Sequence, residues 1–91
     1  MKPGYEPRDY NEARGQLVEE AGELVSALGK MLRFGEASYN PELPEDEQET
    51  NIQAVLREAR DVKRAIRNFS KWVDATNIAH TKRTTFRRDG Q

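Results

Sequence analysis

The chain has 91 residues, 34% of them charged and 35% hydrophobic, with a formal net charge of −1 and no cysteine. That length allows one small domain, residues 1–91, and the missing cysteine excludes disulfides and thiolate metal sites. No run approaches the ~18 apolar residues of a membrane span and MKPGYEPRDY has no apolar export segment, so the expectation is a cytoplasmic protein with no membrane partner.

The small net charge hides an asymmetry. Residues 1–56 carry 5 basic and 12 acidic side chains, and residues 57–91 carry 10 basic and 4 acidic. Such halves can pair within a chain, between subunits or across an anionic ligand. A domain of this size is marginal alone, so a homo-oligomer is expected.

The first helix is predicted from Asp9, an N-cap, to Phe34, with Gly35 at the position where a positive φ is wanted. Leu17, Ala21, Leu24, Val25, Leu28, Met31 and Leu32 repeat as one helical face. Gly15, Gly22 and Gly29 sit seven apart, and close approach of a neighbouring helix or ligand is the expected reason. Residues 36–49, EASYNPELPEDEQE, hold two prolines and six acids and read as a loop. A second helix is predicted over about 51–75, opened by a Thr50/Gln53 capping box. Its stripe is Ile52, Val55, Leu56, Ala59, Val62, Ile66, Phe69 and Val73. A short helix over IAHTKRTTF follows in the basic segment 77–91. With no period-2 alternation, the fold class is all-α: an antiparallel helical hairpin plus a short C-terminal helix.

Glu19, Glu20 and Glu23 crowd beside the apolar face of the first helix. At about 100° per residue, Glu20 lies roughly 80° from the stripe centre near Leu28, Glu23 roughly 140° to the same side, and Glu19 points nearly away from the core. Glu58 and Asp61 lie at about the same two offsets on the second helix. In an antiparallel hairpin equal offsets share a face, so Glu20, Glu23, Glu58 and Asp61 should converge. Two like charges near 5 Å repel by about 3 kcal/mol at an effective dielectric of 20. A cation must compensate, and oxygen-only ligands point to Mg²⁺ or Mn²⁺, ions that commonly hold a substrate's phosphates too. The bland alternative is a solvated acidic face with nearby arginines as partners.

EEAGELVSALGKMLRFG followed by EARDV resembles the MazG-like nucleoside triphosphate pyrophosphohydrolases of the all-α pyrophosphatase superfamily. Their E-E-x-x-E…E-x-x-D signature falls on Glu19, Glu20, Glu23, Glu58 and Asp61, and the similarity spans roughly residues 12–70. LRFG, NPE and TN are similar to the short bacteriophage versions. The resemblance implies Mg²⁺-dependent cleavage of a nucleotide to monophosphate and pyrophosphate. It makes Glu20, Glu23, Glu58 and Asp61 the metal ligands, and Glu19 the group that orients or deprotonates the attacking water. It also implies a dimer or tetramer sharing a four-helix bundle. Two features depart from the pattern: the 34 residues between Glu23 and Glu58 are a longer gap than usual, and Arg57 stands where an acid often precedes E-x-x-D.

Lys30, Arg33, Arg57, Lys82 and Arg83 are the candidate phosphate-binding cations, although Lys30 and Arg33 also suit a helix end. Tyr39 and Phe34 could stack on a base. Trp72 and Phe69 read as core or interface, and His80 receives no role. Two competing readings remain. One is a catalytically weak relative that binds a nucleotide or a partner protein. The other is a helical nucleic-acid-binding module using Arg57, Arg60, Lys63, Arg64, Arg67 and Lys71, which the acidic first half disfavours.

Overall fold

The computed structural model describes residues 5–76. They form helix α1, Tyr10–Phe34, and helix α2, Asn51–Thr76, joined by a loop containing a 3₁₀ turn, Glu45–Glu47; there is no strand among the described residues. The expected C-terminal helix, and Lys82 and Arg83 with it, lie outside them. No helix among the described residues is long and apolar enough to cross a membrane.

Each helix end follows from its local sequence. Asp9 is extended and its carboxylate accepts from the Glu12 amide at 2.8 Å, capping α1. Gly35 ends the helix at φ 94°, a backbone state that other residues resist, and donates to the Met31 carbonyl at 2.8 Å. At the start of α2 the Thr50 amide donates to Gln53 Oε1 at 2.8 Å, and the Gln53 amide donates back to Thr50 Oγ1 at 3.3 Å. This is the reciprocal capping box its sequence calls for.

The helices pack as an antiparallel hairpin. At one end Asn51 Nδ2 donates to the Gly35 carbonyl at 2.9 Å. At the other, the Tyr10 and Phe69 rings stand 5.6 Å apart, and Asn68 Nδ2 donates to Gln16 Oε1 at 3.0 Å. The seam between them runs through Ala13, Gln16 and Glu20 of α1 and Asn51, Glu58 and Ala65 of α2, the fully buried helical positions.

That seam corrects the expected orientation of α1. The apolar stripe centred near Leu28 was expected to face α2, with Glu20 well to one side. Glu20 instead sits on the contact line, 2% exposed. The stripe is wider than one helix–helix contact can cover, so Leu17, Leu24 and Met31 turn partly inward while Val25, Leu28 and Leu32 stay exposed. The only fully buried hydrophobic residues within the described helices are Ala13 and Ala65.

A Cβ placed on Gly15, Gly22 or Gly29 meets nothing within 4 Å. These positions lie about 140–180° from Glu20 around α1, on its outer side, so no described neighbour approaches closely enough to require glycine.

Candidate metal centre and adjoining cavity

Antiparallel packing sets Glu20 opposite the α2 turn that carries Glu58 and Asp61. One carboxylate oxygen from each of these three lies within 4.8 Å of the others, close enough for one cation. Glu20 of α1 thus meets the Glu58/Asp61 pair of α2 through tertiary packing.

Burial makes the cluster more than a surface patch of acids. Glu58 is only 9% exposed, and its Oε1 is buried with no hydrogen-bond partner. Its other oxygen, Oε2, accepts from Arg57 Nη1 at 3.0 Å. Arg57 is itself fixed by Glu49 at the end of the loop, with Nε to Oε2 at 2.9 Å and Nη2 to Oε1 at 3.0 Å. Glu58 is therefore anchored through one oxygen and offers the other, the geometry of a monodentate ligand. Orphaned buried acceptors are costly in folded proteins, and a cation is one partner that would satisfy this one.

Electrostatics agree. Burial first, and then the neighbouring Glu23 carboxylate, push the Glu20 carboxyl above its ordinary value. The Arg57 guanidinium holds the Glu49 carboxyl below its own, and Glu49, followed by Glu58, holds Arg57 more firmly protonated. All-oxygen donors of this kind suit Mg²⁺ or Mn²⁺.

Glu23 is not in the three-residue cluster. It stands on its flank, about 60° around α1 from Glu20, on the side to which Asp61 also turns from Glu58. There it lines, with Glu58, a cavity of about 640 Å³ between α1 and the loop. Glu19 is exposed and lies outside both the cluster and the cavity wall.

The candidate cations divide. Lys30 and Arg57 line the cavity, but the charge of Arg57 is already engaged by Glu49 and Glu58. Arg33 does not line it; its guanidinium stacks 5.4 Å from the Phe34 ring centroid in the last turn of α1, as a helix-end cation does. Arg60, Lys63, Arg67 and Lys71 are exposed on the outer side of α2.

Sequence reasoning missed Gln16 and Asn68, which extend the polar layer one turn beyond Glu20. Gln16 is 3% exposed and its Nε2, a buried donor, has no partner. Two polar residues with no charge and no motif carry no sequence signal, and only the packing register joins them. No family model, curated protein or solved structure matches the chain.

Proposed function

We propose that the protein is a Mg²⁺-dependent nucleotide pyrophosphohydrolase that converts a nucleoside triphosphate to a monophosphate and pyrophosphate. The observation that carries this reading is the buried, unsatisfied Oε1 of Glu58 in a cluster with Glu20 and Asp61. The E-E-x-x-E…E-x-x-D resemblance supplies the reaction class.

In this reading Glu20, Glu58 and Asp61 hold the cation and Glu23 completes its surroundings from the flank. Bound there, Mg²⁺ would neutralise phosphate charge and favour attack by water. Glu19, exposed beside Glu20 in the chain, takes the role of orienting the water and receiving its proton, as the resemblance implies. The water oxygen bonds to the α-phosphorus, and the bridging oxygen leaves with pyrophosphate. Lys30 meets the departing phosphates.

The working unit is a homo-oligomer. Val18, Val25, Leu28 and Leu32 on α1 and Ile52, Leu56 and Ile66 on α2 are exposed, on the opposite side of the hairpin from the cavity. They present on the order of 600 Å² of apolar surface per copy, about what a stable interface needs from each partner. Monomers rarely leave such a patch open. Packing that face against a second copy makes a four-helix bundle and leaves the carboxylates facing outward.

The test is release of pyrophosphate from a panel of nucleoside triphosphates with Mg²⁺, with Glu20→Gln as control. Turnover abolished by Glu20→Gln and by chelation is expected. Binding without turnover in the wild type supports instead a catalytically weak nucleotide-binding protein, the reading favoured by the Arg57–Glu58 ion pair, which partly neutralises the cluster.

A further inference from the structure

We propose that the loop of residues 35–50 is the base-recognition element of this site, and that its cavity takes the flat ring of a nucleotide whose phosphates lie at the carboxylates. The proposal rests on the reading above and adds to it which part of the chain selects the substrate.

The α1 wall of the cavity is an ordered row. Glu23, Ala27, Lys30 and Phe34 follow one another at helical spacing on the same side of the helix, and all line the cavity. At 1.5 Å per residue, Lys30 lies about 10 Å and Phe34 about 16 Å along the axis from Glu23. A ligand lying along this row meets carboxylates, then a floor of small side chains, Ser26 and Ala27, then a cation, then an aromatic ring. That order matches a metal-bound polyphosphate extended into a nucleoside.

The loop supplies the facing wall. Tyr39 and Leu43 line the cavity, 49% and 40% exposed, and Phe34 is 62% exposed. Among the described residues the only fully buried hydrophobic side chains of the helices are two alanines, so the chain would gain by folding these groups inward, yet it holds all three around one opening. They provide the apolar and stacking surfaces that nucleobase sites use.

These walls are set before any ligand arrives. The Asn51 amide donates to the Ser38 carbonyl at 2.9 Å and the Ile52 amide to the Glu36 carbonyl at 3.0 Å, which stitches the first half of the loop to α2. Gln48 Nε2 donates to the Leu43 carbonyl at 3.0 Å, and the Arg57–Glu49 pair fixes the loop's end. A loop held this way spends little binding free energy on ordering itself. An inorganic polyphosphate would engage only the carboxylate end of the cavity.

The discriminating experiment is calorimetric titration of the full chain with Mg²⁺ and either the α,β-methylene analogues of the common nucleoside triphosphates or inorganic tripolyphosphate. Binding is read directly, so turnover is not required. Tyr39→Ala is expected to weaken the best nucleotide about tenfold, with Tyr39→Phe close to wild type. Tripolyphosphate affinity and far-UV circular dichroism should not change. If Tyr39→Ala and Leu43→Ala both leave nucleotide affinity intact, or if tripolyphosphate binds the wild type as tightly as any nucleotide, the loop has no such role, while the metal–phosphate reading stands. If neither ligand binds in the presence of Mg²⁺, both fall.

Discussion

Arg57 donates to Glu58 Oε2 at 3.0 Å and leaves Oε1 of the same carboxylate buried and unsatisfied. The guanidinium thus orients the Glu58 carboxylate while its other nitrogens grip Glu49 in the loop. If the cluster holds a metal as proposed, Arg57 either aims Glu58 at it or merely opposes its charge, whatever part it takes in binding phosphate. The two roles differ in sign. Removing a cation that merely repels the metal should tighten Mg²⁺ binding. Removing one that aims Glu58 should weaken it, and Arg57→Met is expected to lower Mg²⁺ affinity about tenfold by calorimetry. Arg57→Lys should not restore it, because an ammonium cannot reproduce the fork that spans Glu49 and Glu58.

The raised Glu20 carboxyl makes stability depend on pH in a defined direction. Its folded-state pKa lies above the unfolded value, so its stabilising contribution is complete below pH 4.5 and is lost as pH rises through the folded value. Glu49 runs the other way: its pKa is lowered by Arg57, so its contribution is present above 4.5 and is lost as pH falls through the folded value. Without divalent metal at pH 7, Glu20→Gln should therefore melt a few degrees higher than the wild type. Added Mg²⁺ should stabilise the wild type and leave the variant unmoved. Thermal melts at pH 5 and 7, with and without Mg²⁺, check both statements.

The open apolar face predicts association. Leu32 is 85% exposed and Val25 is 67% exposed, one heptad apart on α1. Val25→Glu/Leu32→Glu should reduce the sedimenting mass to that of one chain. It should also make the melting temperature independent of protein concentration, which it would not be for a dimer or tetramer. Unchanged mass would place the interface elsewhere.

Gly22 is exposed, helical and clear of any described neighbour. In the Val25→Glu/Leu32→Glu background, Gly22→Ala should stabilise the fold by up to ~1 kcal/mol in denaturant unfolding, since it removes backbone freedom from the unfolded chain and creates no clash within the hairpin. A loss of stability in that background would mean that the outer side of α1 packs within its own chain, whereas a loss confined to the parent chain would place Gly22 in the contact between copies.

The helix limits were legible in the sequence because they are local: Asp9, Gly35, Thr50 and Gln53 each act within four residues of a helix end. The meeting of Glu20 with Glu58 and Asp61 was legible because helical period and antiparallel pairing leave few arrangements. The depth of Glu20 was not. It depends on which half of an over-wide apolar stripe faces inward, a choice made by the whole hairpin. The pairing of Arg57 with Glu49 was hidden for the same kind of reason, since it depends on how a loop with two prolines folds back. The reason for the glycine heptad is not local to the hairpin, because no described neighbour stands within 4 Å of a Cβ built there.

The most direct measurement is calorimetric titration of Mg²⁺, with Mn²⁺ in parallel, into the full chain and into Glu58→Gln. The wild type should bind saturably, and Glu58→Gln, with an unchanged circular dichroism spectrum, should lose the binding. A wild type that takes up neither ion, or a Glu58→Gln chain that binds as well as the wild type, would contradict a metal centre at Glu20, Glu58 and Asp61.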